Sequence, residues 1–381
     1  MKYSIIVPVY NRPDEVDELL ASLCHQTLHN FDVYIIEDGS DIPCKAVCSH
    51  YGMVDGGSPA VSSPSASASP FPLYYYMKEN GGPGAARNYG AERAMGDYFI
   101  VLDSDVVLPP GYLEAIDREL EQNPCDAFGG PDRAHPDFTP VQKAISYSMT
   151  SFFTTGGIRG GKKKLDKFYP RSFNMGVSRE LWQRLGGFRA MRFGEDIDFS
   201  YRICEAGARC RLFPDAWVWH KRRTDFRKFF RQVNNSGKAR INLHLLHPGS
   251  MKLVHTLPAI FTVGCMFLAI PFLCGFVLAI MGALSVWHQQ YMENGCNLGL
   301  IVVISGGALM LASLLPLLLY SLLILIDSSI RNRSLWVGLL SVPASFIQLL
   351  GYGTGFLSAV WKRLILRKKD EGFDNNEKLY K

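Results

Sequence analysis

Two aspartates, Asp103 and Asp105, follow directly on the apolar run 98–102 and form the sequence Asp-Ser-Asp. The run has the length of a buried strand, so both carboxylates are expected at the carboxyl end of that strand. Hard cations such as Mg²⁺ are commonly held by one or two carboxylates together with the phosphates of a substrate. An isolated Asp-x-Asp pair is also common in solvated turns. The pair therefore predicts a metal-bound diphosphate only if other polar residues converge on it.

Three other predicted strands end in polar sequence of the same kind. They are residues 3–9, 32–36 and 73–77, and they are followed by the polar segments 8–12, 37–40 and 79–84. Apolar residues at helical spacing predict helices between the strands, over 13–26, 84–94 and 111–122. Alternating strands and helices predict a mostly parallel sheet covered by helices, with ligands at the carboxyl ends of the strands. Carboxylates that meet at such an edge repel each other unless they face a cation or hydrogen-bond donors.

A second acidic pair, Glu195-Asp196, precedes a predicted helix over 197–206. Upstream of it we expect a strand over 173–178 and a helix over 179–185. Acidic residues in a first helical turn are favoured by the helix dipole whatever their function. This structural interpretation applies to Asp198 above all and less to Asp196.

In their order and spacing, five of these motifs resemble the family 2 glycosyltransferases of the GT-A fold. The motifs are residues 4–11, 37–40, 84–90, 103–105 and 194–198. The resemblance covers roughly the first 220 residues, and five weak motifs in the right order make one strong signal. It implies a Rossmann-like α/β catalytic domain, with a mostly parallel sheet, of a bacterial, membrane-anchored enzyme of the hexosyltransferase type.

The resemblance also implies roles for individual residues. Pro8, Tyr10 and Arg12 would line the nucleotide pocket, with Tyr10 near the uracil. Asp38 would accept a hydrogen bond from the base, as an ionised carboxylate can. Arg87 would approach the phosphate or the sugar of the donor, although a simple ion-pair role is the alternative.

Other roles implied by the resemblance concern the metal and the reaction. Asp103 would touch the ribose or the water shell of the metal, and Asp105 would ligate Mg²⁺ or Mn²⁺. His220 falls where some GT-A enzymes have a further metal ligand, although a lone histidine is more often structural. Asp196 would be the general base and Glu195 would orient the acceptor or a loop, and an exchange of these two roles stays open.

The sequence departs from the processive members of the family. These carry Gln-x-x-Arg-Trp after the acidic motif, whereas this chain has Arg231-Gln232-Val233-Asn234-Asn235. The difference argues against a synthase that makes and extrudes a long polymer. The glycine- and lysine-rich segment 156–164 is either a loop that closes over the donor phosphates or a plain loop.

The chain has 381 residues, of which 48% are hydrophobic, and the apolar residues are unevenly distributed. Three long apolar stretches lie at 253–287, 298–326 and 335–361, and the first two exceed the roughly 20 residues needed to cross a bilayer. We therefore predict a head over 1–225 with a flexible insertion at 52–72, and a basic juxtamembrane linker over 226–252. We further predict a membrane region over 253–361, with spans at about 253–287 and 298–326, and a basic, polar cytoplasmic tail over 362–381.

Charge and cysteine content limit the location and the partners. The net charge of +5 does not indicate a nucleic-acid partner, and the basic residues between 221 and 252 fit the cytoplasmic side of a membrane. An ordinary solvated basic helix is the alternative. The N-terminus lacks the pattern of a cleavable signal peptide, and nine scattered cysteines fit reduced thiols. We expect a multi-pass protein of the inner membrane with a cytoplasmic catalytic domain.

The third apolar stretch is ambiguous. The connection 288–297 has no lysine or arginine and suits the outer side, whereas Arg331 and Arg333 suit the inner side. A third span over 335–361 would place the following basic cluster outside, so we favour an interfacial or re-entrant helix over a third span.

Three functional hypotheses follow from the sequence. The leading one is an inverting glycosyltransferase that moves a sugar, with UDP as the expected nucleotide, to a lipid-linked or glycan acceptor in surface polysaccharide assembly. The second is a transferase that loads a sugar onto a polyprenyl phosphate. The third is a non-catalytic membrane scaffold with a transferase-like head, against which the intact Asp38, Asp105 and Asp196 argue.

Overall fold

A computed structural model of the chain describes residues 1–56, 69–135, 137–156, 168–291 and 298–368, with the backbone alone for 289–291. In this described part the head contains eleven strands. They are β1 (Tyr3–Val9), β2 (Phe31–Asp38), β3 (Val54–Asp55), β4 (Leu73–Lys78), β5 (Tyr98–Leu102), β6 (Val106–Val107), β7 (Ala127–Gly129), β8 (Asp132–Arg133), β9 (Asn174–Ser178), β10 (Cys210–Leu212) and β11 (Val218–His220).

Helices cover the sheet and form the C-terminal region. They are α1 (Pro13–Cys24), α2 (Lys45–His50), α3 (Gly82–Ala91), α4 (Tyr112–Gln122), α5 (Pro140–Thr150), α6 (Phe152–Thr155), α7 (Arg179–Leu185), α8 (Glu195–Glu205), α9 (Phe226–Leu246), α10 (Leu253–Tyr291), α11 (Leu298–Asn332) and α12 (Leu335–Ala359). A π-helical turn, Val360–Ile365, continues α12.

The main sheet has eight strands in the order β10-β7-β9-β5-β1-β2-β4-β3. The strands β1, β2, β4 and β5 are parallel, while β9 is antiparallel to both of its neighbours. A small second sheet has the order β6-β11-β8. The structure thus confirms the predicted GT-A-like α/β head with a mostly parallel sheet, in which the carboxyl ends of four predicted strands lie at one edge.

Burial on both faces explains why β1 is an almost continuous apolar run. Ile5, Val7 and Val9 point into one hydrophobic cluster, and Ile6 points into the cluster on the opposite face. Alternate side chains of a strand point to opposite faces, so a central strand covered on both sides must be apolar throughout. The Asp-Ser-Asp sequence follows β5, which lies directly beside β1.

One predicted boundary differs in a way that matters for the site. The helix α8 begins at Glu195, and not at Ile197 as predicted, so Glu195 and Asp196 lie in its first turn. Gly194 precedes the helix with a positive φ of 85°. Glycine adopts this backbone conformation without a steric penalty, which lets the chain turn sharply into the helix.

Three helices of the described chain are long and apolar enough to cross a membrane: α10, α11 and α12 with its π-helical continuation. The structure confirms apolar C-terminal helices, and both α10 and α11 are longer than predicted. Besides α10 and α11, α12 packs against α5 of the head and against α9. Whether α12 spans the bilayer or lies at its interface stays a prediction. Residues 57–68 of the predicted insertion and 157–164 of the predicted loop lie outside the described residues.

Candidate active site

A cavity of about 530 Å³ lies at the carboxyl edge of the main sheet. Side chains and backbone from four strand ends, from the N-terminus of α3 and from the first turn of α8 line it. The lining residues are Pro8, Val9, Tyr10, Arg12, Asp38, Asn80, Gly82, Pro83, Arg87, Asp103, Ser104, Asp105, Ser172, Glu195, Asp196 and Arg223. The structure therefore brings together in one cavity nine of the ten site residues predicted from the sequence. The tenth, His220, is not in this lining but contacts Asp105, with Nε2 3.3 Å from Asp105 Oδ1.

Asp38 lies at the end of β2 and is almost fully buried. Its Oδ1 accepts hydrogen bonds from Lys78 Nζ at 2.7 Å and from the backbone N–H of Gly81 at 2.9 Å. Its Oδ2 accepts from the N–H of Gly82 at 2.7 Å. A carboxylate has about four acceptor positions, so these three bonds leave room for one more donor. The predicted contact with a base is compatible with that capacity, and Asp38 also anchors the start of α3.

The turn that carries Tyr10 and Arg12 is held by its neighbours. Asn11 has a φ of 55°, a left-handed conformation that asparagine tolerates better than most residues. Its backbone N–H donates to Ser40 Oγ at 2.7 Å, and the Ser40 hydroxyl donates to the buried carboxylate of Glu37. Glu37 is therefore a support for the turn and not a lining residue. Tyr10 is 49% exposed, so its ring is available for stacking on a ligand.

Asp103, Asp105 and His220 each place a ligand atom within 4.8 Å of the others. His220 Nε2 lies 3.3 Å from Asp105 Oδ1, and its ring stacks on Phe173 with centroids 5.0 Å apart. The other oxygen of Asp105 accepts from Arg12 at 3.0 Å. His220 comes from the small second sheet, so a strand outside the main sheet delivers the third group.

These residues fit a divalent cation. Burial opposes ionisation of Asp105, but the hydrogen bond and charge of His220, with Arg12 and Arg223, lower the pKa of Asp105 to about 2. Buried His220 Nδ1 has no hydrogen-bond partner among the described residues, and the nearest carboxylate oxygen, of Asp132, is 4.0 Å away. Two carboxylates and an imidazole suit Mg²⁺ or Mn²⁺, with imidazole more compatible with Mn²⁺ than with Mg²⁺.

Arg87 ties the two acidic motifs together. The guanidinium donates to Asp103 Oδ1 at 2.8 Å and to Glu195 Oε1 at 3.0 Å, and it lies over the ring of Phe188. The residue is only 3% exposed, and its Nε has no hydrogen-bond partner in the described part of the chain. Arg87 lies in the cavity wall as predicted, but two carboxylates already occupy its terminal nitrogens. By binding Asp103 and Glu195 at the same time, Arg87 holds the Asp-Ser-Asp turn and α8 close together.

The two acidic residues of α8 have different surroundings. Burial opposes ionisation of Asp196, but Arg171, whose Nε donates to Asp196 Oδ2 at 2.8 Å, and Arg87 together lower the pKa of Asp196. Burial raises the pKa of Glu195, an effect that Arg87 reduces and the charge of Asp196 increases. Paired carboxyl groups with pKa values pushed in opposite directions are typical of acid and base assignments in active sites. The lowered pKa of Asp196 favours its ionised form.

Two arginines of the site were missed by the analysis of the sequence. Arg171 lies in no predicted strand, helix or motif, so nothing in the sequence indicated its contact with Asp196. Arg223 belongs to a basic run that we interpreted as part of a juxtamembrane belt. In the structure Lys221 pairs with Glu18, Arg222 pairs with Asp132 and Arg223 lines the cavity, so all three contact the head. The run directly follows β11, which carries it back to the head.

Asp198 has the structural role expected for it. It is fully buried and accepts hydrogen bonds from Arg189 at 3.0 Å and from Arg202 at 2.9 Å. Its Oδ1 also lies 2.9 Å from His247 Nε2. Asp198 does not line the cavity.

Comparisons with known proteins agree with this geometry. Residues 98–354 match the model of the glycosyl transferase family group 2, and residues 4–186 match that of glycosyl transferase family 2. An uncharacterized glycosyltransferase of Haemophilus influenzae is 30% identical over 210 residues, which are 53% of this chain and 62% of the relative. The uncharacterized glycosyltransferase EpsJ of Bacillus subtilis is 28% identical over 218 residues, which are 56% of this chain and 58% of the relative. The chain thus spans about three fifths of the length of these two relatives.

A solved structure shares the fold. The mannosyltransferase PcManGT from Pyrobaculum calidifontis, in complex with GDP-Man and Mn²⁺, has a TM-score of 0.50 and 15% sequence identity. The likeness covers 94% of this chain and 87% of that one. At this identity it supports the fold alone, and the sequence matches carry the family assignment. The chain belongs to the family 2 glycosyltransferases.

Proposed function

We propose that the protein is an inverting glycosyltransferase that moves a sugar from a nucleotide donor, expected to be UDP, to a lipid-linked acceptor in surface glycan assembly. The observation that carries the proposal is the arrangement of the cavity. The carboxylate Asp196 follows Glu195, and Arg87 joins Glu195 to Asp103, a member of the Asp103, Asp105 and His220 cluster. A base and a diphosphate site that line the same cavity suit an in-line displacement at a sugar carbon.

In this mechanism Asp196 accepts the proton of an acceptor hydroxyl at a carboxylate oxygen. The hydroxyl oxygen forms a bond to the anomeric carbon while the bond from that carbon to the diphosphate oxygen breaks, and the electron pair leaves with the nucleotide. A single displacement inverts the configuration at that carbon. Arg171 keeps Asp196 ionised, and Arg87 holds Glu195 beside it, which supports Glu195 as an orienting residue.

Two parts of the cavity could neutralise the negative charge of the leaving nucleoside diphosphate. Asp103, Asp105 and His220 would hold a divalent cation, which neutralises negative charge on the diphosphate when bound. Arg223 has no hydrogen bond or ion pair among the described residues and lines the same cavity. A free guanidinium suits a phosphate oxygen, because its planar donors match phosphate geometry. We assign Arg223 to the diphosphate.

A second cavity supports a lipid-linked acceptor over a soluble glycan. It has about 550 Å³ and lies between α6 and the apolar helices α10, α11 and α12. Aromatic and aliphatic side chains dominate its lining, among them Phe152, Phe261, Tyr320 and Leu349. Such a cavity at the junction of the head and the apolar helices suits an isoprenoid or acyl chain. A polyprenyl phosphate acceptor uses the same chemistry, so the two enzyme hypotheses differ only in the acceptor group.

Basic residues support a cytoplasmic head at the inner membrane. Arg331 and Arg333 lie where α11 ends, and Arg227, Lys228 and Arg231 lie on α9. Lysine and arginine are enriched on the cytoplasmic side of membrane proteins.

The experiment is a transfer assay with a panel of nucleotide sugars and lipid-linked acceptors, on the full chain and on the variant Asp196→Asn. Asparagine keeps the size of the side chain but cannot take the proton, so turnover falls by about 10²–10⁴-fold while nucleotide affinity is unchanged. Glu195→Gln is the matched control and has a smaller effect. Near-normal turnover of Asp196→Asn rejects the assignment of the base. If the assay shows that a lipid phosphate is preferred over a lipid-linked sugar as the acceptor, the result favours the polyprenyl phosphate transferase.

A further inference from the structure

The helix α9 lies along the outer side of α8, the helix that carries Glu195 and Asp196. Near the start of α8, a Cβ placed on Gly194 would lie 3.2 Å from Leu243 Cδ1 and 3.4 Å from Ala239 Cβ. In the middle of α8, Tyr201 accepts a hydrogen bond from Arg240 at 3.2 Å. The two helices therefore contact each other at the start and in the middle of α8.

The two helices also make contact at the C-terminal end of α9, where His247 follows the last helical residue. His247 is 5% exposed, and its two ring nitrogens both meet carboxylates of α8. Nε2 lies 2.9 Å from Asp198 Oδ1, and Nδ1 lies 2.7 Å from Glu205 Oε1. The ring also packs on Tyr201, with centroids 5.0 Å apart. One side chain thus bridges two carboxylates that are seven residues apart on the catalytic helix.

Asp198 connects this bridge to the rest of the head. Besides His247 it binds Arg189 and Arg202. Arg202 donates in turn to the carbonyl oxygens of Leu185 at 2.9 Å and Gly187 at 2.6 Å, at the end of α7. Since Asp198 is fully buried and lies two residues after Asp196, its position sets the rotation and height of the first turn of α8.

The opposite side of α9 packs closely on α12. A Cβ at Gly237 would overlap the carbonyl oxygen of Tyr352, and a Cβ at Gly355 would overlap that of Asn234. Asn234 Nδ2 also donates to Gly351 O at 3.0 Å. Glycines at these points let the two backbones approach, as in close helix pairs. One helix therefore contacts the catalytic helix on one side and an apolar helix on the other.

We propose that α9 holds the catalytic helix against the membrane region and that His247 is the positioning residue of this contact. The inference rests on the proposed role of Asp196 as the base. His247 is not one of the described residues that line the cavity, so it can affect the base only through its neighbours. It acts through Asp198, which fixes the helix turn that presents Asp196. The segment from His247 to Leu253 also leads directly into α10, so the contact lies where the head joins the first apolar helix.

The variant His247→Ala tests the proposal in the full chain. A small displacement of a reacting group lowers the rate without removing the binding site, so we expect turnover to fall by about 10–100-fold with nucleotide affinity unchanged. His247→Gln, which keeps one donor for one carboxylate, recovers part of the loss. His244→Ala is the matched control, because His244 lies one turn earlier on the same helix and makes no hydrogen bond among the described residues through Nδ1.

A double variant separates positioning from a general loss of structure. If His247 acts through Asp196, adding His247→Ala to Asp196→Asn leaves the residual turnover unchanged, since residues that act as a unit are not additive. A folded His247→Ala protein with normal turnover, or losses that multiply in the double variant, overturns the inference. Normal turnover of Asp196→Asn alone rejects the proposed base instead. The two failures are therefore distinguishable.

Discussion

Replacing Arg223 with alanine removes a guanidinium from the cavity wall beside Asp105. Arg223 has no hydrogen bond or ion pair in the described part of the chain, so its loss breaks no protein contact that holds the fold. Its charge does contribute to the lowered pKa of Asp105. The substitution therefore lowers chiefly the affinity for anionic ligands. The loss of affinity must increase with the number of phosphates that a ligand carries.

The expected magnitude follows from the position of the side chain. Two unit charges about 4 Å apart interact by about 4 kcal/mol at an effective dielectric constant of about 20. Arg223 is only partly buried, so water screens part of this attraction. Hydrogen bonds to charged groups contribute about 1.5–3 kcal/mol net. We therefore expect Arg223→Ala to weaken UDP binding by about 10–100-fold.

Calorimetric titration of UDP, UMP and uridine in the presence of Mn²⁺ measures the effect. UDP affinity falls most, UMP affinity falls less and uridine affinity is unchanged, while Arg223→Lys recovers part of the loss. Lys221→Ala is the control, because Lys221 pairs with Glu18 outside the cavity lining. Equal losses for all three ligands, or no loss for UDP, would refute the assignment of Arg223 to the diphosphate.

Three further predictions concern the base, the metal and the acceptor. Arg171→Gln removes a charge that lowers the pKa of Asp196, so that pKa rises and the acidic limb of the kcat/KM profile moves to higher pH; an unmoved limb would contradict this. Asp105→Ala abolishes the dependence of nucleotide affinity on Mn²⁺, which a metal titration checks against the unaltered protein. Gly264→Phe fills the apolar cavity without a backbone clash and raises the KM for a long-chain lipid acceptor about tenfold, about 1.4 kcal/mol. Gly307→Phe, at an equally open position outside that cavity, leaves the KM unchanged, and equal effects of both variants would argue against the lipid site.

Local sequence predicted the elements that carry the site. The strands β1 and β5 and the helix α7 have the predicted boundaries. Each has an uninterrupted apolar or helical pattern that ends at polar or turn-forming residues. The turn glycines were less informative. The predicted start of α8 was two residues too late, because the sequence pattern does not reveal the positive φ with which Gly194 turns the chain into the helix.

The sequence by itself determined that four strand ends with polar residues meet at one edge, because parallel strands separated by helices have no other common arrangement. It therefore identified Asp38 and Asp105 as candidates for one site, and the resemblance to the family 2 glycosyltransferases added Asp196. Only the tertiary structure decided which cations face them. Arg171, Arg223 and His247 reach α8 or the cavity from segments distant in sequence, and a side chain's partner across such a distance depends on packing that no local pattern encodes.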